Sequence, residues 1–218
     1  MNIITKKVTL IPAPILFVGS RLTVRVEGDA LDFGIFESRP PAGSDKTTVQ
    51  WGDGETTTVE GAISQLVHTY AMPGTYQVRI SDDAESLTLI GSTSPEEYQA
   101  RYAPRILAFE SNATKLMTIG TGCFRECANL VRVTFDCSKA ELIGLRAFAG
   151  CRSLAGVVSL PVFHILRGLK SAQPFEGCTG GITEIHFSAS AEDDITSSSV
   201  YKGDQTLGTG TAVCKFDL

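Results

Sequence analysis

Ile119-Gly120-Thr121-Gly122-Cys123-Phe124-Arg125-Glu126-Cys127-Ala128-Asn129-Leu130 returns, with substitutions, as Ile143-Gly144-Leu145-Arg146-Ala147-Phe148-Ala149-Gly150-Cys151-Arg152-Ser153-Leu154. Phe124 and Phe148 lie 24 residues apart, as do Cys127 and Cys151. A shorter copy, Pro174-Phe175-Glu176-Gly177-Cys178, follows 27 residues later. Self-similarity at this spacing predicts stacked rungs, none of which can bury its apolar face alone. Such a repeat favours a surface that binds over a pocket that reacts.

Working outward, each copy is followed by an apolar-x-apolar stretch that reads as a strand. These strands align on Phe109, Phe135, Leu160, Phe187 and Phe216. Those five residues, with Leu107, Val133, Val158, Ile185 and Cys214, are expected to point inward. Ala108, Thr134, Ser159, His186 and Lys215 are expected to point outward, with Ile106, Arg132, Val157, Glu184 and Val213 beside them. Cys127, Cys151 and Cys178 share one repeat position, so a ladder of buried free thiols is expected rather than disulfides. Cys123 takes the small slot that Ala147 fills. The Ser-, Thr- and Gly-rich stretch 188–211 reads as a degenerate last rung or a cap.

Residues 1–92 follow a different rule. Leu22, Val24 and Val26 alternate with Thr23 and Arg25; Tyr76, Val78 and Ile80 alternate with Gln77 and Arg79. Period-two patterning broken by Gly, Pro and Asp predicts an antiparallel sandwich with one wet face. Residues 38–46 read as a loop. Gly52-Asp53-Gly54 reads as a tight turn, with Asp53 capping backbone amides. Ser92 to Tyr102 reads as a junction, with Ser94 capping one helical turn that starts at Pro95.

Two resemblances rest on these residues. Trp51-Gly52-Asp53-Gly54, His68-Thr69-Tyr70 and Pro73-Gly74-Thr75-Tyr76-Gln77-Val78 resemble the polycystic kidney disease (PKD) domain family. That implies a β-sandwich, usually extracellular, acting as spacer or binding module. Ile143-Gly144, Ala147-Phe148, Gly150-Cys151, Leu154 and Leu160-Pro161 resemble the BspA-type leucine-rich repeat. That implies a bacterial surface or secreted protein that binds host or matrix partners. The first copy departs from the repeat at Cys123 and Glu126, and the third at Pro174.

Little in the chain points to catalysis. The net charge is -5, and no basic stretch is interleaved with aromatics, so no nucleic-acid partner is expected. No run reaches the ~18 apolar residues of a membrane helix, so no direct membrane insertion is expected. Lys6-Lys7 and the apolar run to Gly19 loosely match a secretory leader. Pro12 and Pro14 interrupt that run and no small-x-small site follows, which favours an edge strand. His68, His164 and His186 sit in no metal-binding spacing, and Gly-x-Ser-x-Gly is absent. His68 is expected to bond backbone near the Asp53 turn. Asp82-Asp83 and Glu192-Asp193-Asp194 lack Ca²⁺-loop spacing and read as solvated turns.

The sequence therefore predicts a mostly β chain: a PKD-like antiparallel sandwich over 1–92, a linker over 93–102, and a short BspA-like solenoid over 103–218. The expected function is non-enzymatic adhesion or protein or glycan binding on a host or matrix surface, without cofactor or metal. Arg132, Thr134, Glu184, His186 and Lys215 are the candidate binding residues. An extracellular or cell-surface location is expected. The alternatives are a structural or display part of a phage particle or appendage, and a non-catalytic accessory module of a carbohydrate-active protein.

Overall fold

The computed structural model describes residues 17–40, 46–81, 85–91, 93–135, 142–160, 164–165, 174–188 and 213–217. The protein is mostly β. Its strands are β1 Gly19–Val26, β2 Asp32–Arg39, β3 Lys46–Gln50, β4 Thr56–Glu60, β5 Ile63–Thr69, β6 Gly74–Ser81, β7 Ser86–Thr88, β8 Ile106–Ser111, β9 Thr118–Ile119, β10 Arg132–Phe135, β11 Leu142–Ile143, β12 Gly156–Leu160, β13 His164–Ile165, β14 Ile182–Ser188 and β15 Val213–Asp217. Among the described residues one helix, α1, spans Glu96–Tyr102 and runs into a 3-10 turn over Ala103–Arg105.

Two sheets carry all of these strands. The larger runs β15-β14-β12-β10-β8-β1-β6-β3-β4, and the smaller β13-β11-β9-β7-β2-β5. Strands up to β7 pair antiparallel with one another, as their alternation requires. From β8 onward, neighbours within each sheet run parallel. From β7 to β14 the chain alternates between the sheets, adding one strand to each in turn. The two halves meet without a break: β8 pairs antiparallel with β1, and β9 pairs parallel with β7. One hydrophobic cluster draws fully buried side chains from both sheets and both halves, including Leu22, Ile35, Leu87, Phe109, Phe124 and Ile185.

The repeated phrase forms turns that stack on one another. Phe124, Phe148 and Phe175 are buried, with successive ring centroids 5.0 and 5.1 Å apart and planes inclined by only 5° and 8°. The Phe124 N–H donates to the Ala147 carbonyl at 2.6 Å, and the Phe148 N–H donates to the Pro174 carbonyl at 2.7 Å. Cys123, Cys127, Cys151 and Cys178 are free thiols, the first three buried and Cys178 half-buried. The Cys151 thiol donates to the Phe124 carbonyl, and the Cys178 thiol to the Phe148 carbonyl. The expected inward position of Cys123 holds, and it shares full burial with Ala147. Burial pushes the Cys123 thiol up to about 12 and drives Cys127 well above its usual range.

The Ile-Gly pairs have a steric cause. A Cβ on Gly144 would sit 2.4 Å from the Thr121 nitrogen and 2.6 Å from the Gly120 carbonyl carbon. Neighbouring turns therefore approach as bare backbone, and only glycine fits between them.

Four local expectations are corrected. Thr134 pairs with Glu110 and Val133 with Phe109, so β8 is shifted by two residues from the expected alignment on Phe109 and Phe135. A bulge between β1 and β8 at Thr23/Val24 inverts the start of β8: Ile106 is fully buried and Leu107 only half-buried, opposite to the expected pattern. Ser38 and Arg39 belong to β2 rather than to a loop. The Ser94 hydroxyl donates to the Gly91 carbonyl instead of capping α1, and Pro95 takes the cap position.

The junction helix is pinned by charge and burial. The Asp32 carboxylate accepts Arg101 Nε at 3.0 Å, the Tyr102 hydroxyl at 3.2 Å and Arg105 Nη1 at 3.2 Å. Tyr98 and Tyr102 are buried beneath α1, and Gly34 of β2 leaves them room: a Cβ there would lie 2.8 Å from the Tyr98 hydroxyl. Residues 82–83, 136–141 and 189–212 lie outside the described residues, and with them the candidate carboxylate clusters, Cys137 and all of the 188–211 stretch except Ser188.

Candidate functional site

The outer face of the nine-stranded sheet collects the candidate residues. In any strand of this sheet, alternate residues leave the core, and pairing brings them into rows perpendicular to the strands. One row is set by the pairs Thr56–Gln50, Gln50–Arg79, Arg79–Arg21, Arg21–Glu110, Glu110–Thr134, Thr134–Ser159, Ser159–His186 and His186–Lys215. It crosses all nine strands. A second row carries Gln77, Thr23, Ala108 and Arg132. Glu184, two residues before His186, pairs with Val157 and Val213.

Thr134, His186 and Lys215 thus share one row, while Arg132 and Glu184 sit two residues earlier on their strands. Arg132 and Thr134 are exposed, Glu184 is half-buried, and Val157 between their rungs is exposed. Backbone pairing alone places His186 and Lys215. The Arg132 guanidinium is engaged by the Glu110 carboxylate, which also faces Arg21 Nη1 at 4.0 Å. Ala108, expected beside Thr134, instead lies opposite Arg132 and is buried.

Among the described residues, two shallow grooves open on this face. One, of about 130 Å³, lies between Gly19, Arg21, Glu110, Ser111, Asn112 and Thr134. The other, of about 320 Å³, is bounded by Gln50, Gly52, Gly54, Glu55, Thr56, Gln77 and Arg79. Neither encloses a nucleophile beside a base. The residues missed from sequence are Arg21, Arg79 and Glu110. The outward phase of Arg21 and Arg79 was legible in the alternation of β1 and β6. Their adjacency depends on pairing between strands some 60 to 90 residues apart in the chain, which alternation does not encode.

His68 belongs to a separate, structural cluster. Its Nε2 meets Asp53 Oδ2 at 2.7 Å, so its partner is the carboxylate rather than the expected backbone. Asp53 Oδ1 accepts the Glu55 N–H at 3.0 Å, the expected cap of the turn. The imidazole stacks on Trp51 with centroids 4.8 Å apart, and Tyr70 donates to the Trp51 carbonyl at 3.1 Å. Burial alone raises the Asp53 carboxyl, but the hydrogen bonds from His68 and Glu55 outweigh it and hold it below its usual range. This cluster fixes the β3–β4 turn, which forms one end of the larger groove.

No protein-family model, curated protein or solved structure matches the chain.

Proposed function

We propose that the protein is a non-enzymatic binding module that recognises a protein or glycan on a host or matrix surface. In this reading a PKD-like sandwich is joined to a short BspA-like stack of repeats, and the whole is displayed on or outside a bacterial cell. The observation that carries the reading is the row of residues crossing all nine strands of one sheet. It offers side-chain positions at strand spacing, about 4.8 Å apart, over a broad face without a deep cleft. A face of this kind suits an extended or flat partner.

Arg132 and Glu184 supply charge-assisted hydrogen bonds, and Thr134, His186 and Lys215 complete the repeat side of the face. Affinity from such a surface rests on area and on several weak contacts acting together, so monovalent binding in the micromolar range is expected. The test is binding of the wild type and of an Arg132→Ala/Glu184→Ala/His186→Ala variant to arrays of glycans and matrix proteins. Loss of binding in the variant supports the repeat side as the site. Equal binding by both proteins removes it.

A further inference from the structure

We infer that the same face carries an acidic-polysaccharide subsite on its N-terminal half, centred on Arg21 and Arg79; this rests on the binding reading above and names the ligand class. Arg21 of β1 and Arg79 of β6 are direct cross-strand partners. Like charges placed opposite one another on a sheet repel, so the pairing costs stability unless an anion lies between them. Among the described residues, Arg21 has one carboxylate within ion-pair reach and Arg79 has none. Glu110 faces Arg21 only at 4.0 Å, and the Arg132 guanidinium lies closer to that same carboxylate. Arg21 and Arg132 thus share one carboxylate, and Arg79 stands on the other side of Arg21, in a chain whose net charge is -5.

The two guanidiniums are also held in place. Phe17 presents its ring to both, with Arg21 5.9 Å and Arg79 5.5 Å from the centroid. Cation–π contact of this kind restrains the arginine forks without neutralising them. The two grooves of the face flank the pair: Arg79 lines the larger and Arg21 the smaller. In the larger, Gln50, Gln77 and Thr56 offer amides and a hydroxyl, the groups that suit sugar hydroxyls. Glu55, on the same lining, accepts hydroxyls and disfavours a second anion beside it.

A polysaccharide laid along the row meets Arg79 and Arg21 about 4.8 Å apart, with Arg132 of the neighbouring row two strands, roughly 10 Å, further across the sheet. The arginine fork takes a carboxylate or a sulfate through two parallel hydrogen bonds. Both chemistries are therefore covered, and the probes separate them.

The experiment immobilises the full chain and measures binding of polygalacturonate, dextran sulfate and neutral dextran at low and high salt. Single-stranded DNA serves as a polyanion without sugar acids or sulfate. The expected result is binding of at least one acidic polysaccharide, none of neutral dextran, and weaker affinity at high salt. Arg21→Gln/Arg79→Gln should weaken binding about tenfold or more. Arg25→Gln, which removes one positive charge from the strand that carries Arg21, beside Glu27, should change it less than about twofold. Arg79→Lys, which keeps charge but loses the fork, should fall between wild type and the double variant and serves if the latter does not fold. The double variant should melt no lower than wild type, because a repulsive pair has been removed. Equal binding by the double variant, equal loss in Arg25→Gln, DNA binding as tight as polysaccharide, or no preference over neutral dextran each overturns the inference. If neither acidic polymer binds while the arrays bind wild type through Arg132, Glu184 and His186, only the subsite falls and the broader reading stands.

Discussion

Phe148→Ala tests the stacked core and its reach through the molecule. The ring is fully buried, lies flat between Phe124 and Phe175, and meets Phe135 edge-on at 6.4 Å. A buried phenylalanine removes about 150–200 Å² from water, or about 4–5 kcal/mol at 25 cal/mol per Å². Alanine keeps a fraction of that, while the lost ring pairs and the cavity add to the cost, giving about 3–5 kcal/mol. Phe148→Leu keeps most of the area but loses the flat contacts, so about 1–2 kcal/mol is expected. Urea unfolding should be followed by circular dichroism and by fluorescence of Trp51, the sole tryptophan, which is buried in the N-terminal half. Because β1 pairs with β8 and one core serves both halves, both probes should shift to the same lower midpoint. A loss below about 1 kcal/mol would place Phe148 outside the core. A shift in dichroism with no shift in fluorescence would show that the halves unfold separately, as a division at 92 and 103 predicts.

Four further outcomes follow from the geometry. Thiol titration of the native protein should modify Cys178 before Cys123, Cys127 and Cys151, which should react only on unfolding; mass mapping that finds any of these four in a disulfide would refute the free-thiol stack. Glu126 holds φ 58° at the position occupied by Gly150 and Gly177, so Glu126→Gly should leave stability unchanged or raise it by up to about 1 kcal/mol in thermal melts, whereas Glu126→Val should lower it. Gly144→Ala should cost about 1–3 kcal/mol by forcing neighbouring turns apart, and a neutral melt would show that their spacing is slack. The Asp53 carboxyl is depressed in the folded protein, so its contribution to stability is present above the unfolded carboxyl range near pH 4 and is lost as pH falls through the lower folded value; Asp53→Asn should flatten acid unfolding there, and an unchanged acid profile would remove Asp53 as its source.

What the sequence revealed follows from which interactions are local. Alternation alone placed Leu22, Val24, Val26, Val78 and Ile80 inside, because the strand period fixes faces whatever the partner. The 24-residue repeat brought Phe124 and Phe148 together, because equal spacing in sequence becomes equal height in a stack. It did not reveal the start of β8, where a bulge against β1 exchanged the roles of Ile106 and Leu107. Nor did it reveal the junction helix as a packed element. Its polar residues look like a linker until Arg101 and Arg105 reach Asp32, about 70 positions earlier in the chain. On the candidate face, the repeat residues were legible because they share a motif position. Arg21 and Arg79 were not, because their pairing is antiparallel and non-local.

The seam between the halves explains how one sheet runs through both of them. A row of parallel strands needs a first partner, and a bare edge at β8 or β9 would invite pairing with another chain. Here β1 occupies the edge of β8, and β7 occupies the edge of β9. The turn stack is met in the same way: the Ile90 and Gly91 N–H groups donate to the Cys123 and Gly122 carbonyls, so the N-terminal half supplies the layer on which the first repeat turn rests. The same seam is close at Gly120, where an added Cβ would lie 1.9 Å from the Thr88 hydroxyl and force it to turn away. Once the edge is closed by an antiparallel strand rather than by a loop, the outer rows continue across the seam. Arg21 then stands beside Glu110 as a neighbour in one row instead of on a separate domain. Capping the stack with a sheet therefore extends the outward-facing surface beyond what the repeats alone provide, and it places the only cross-strand arginine pair of that row at the junction's flank.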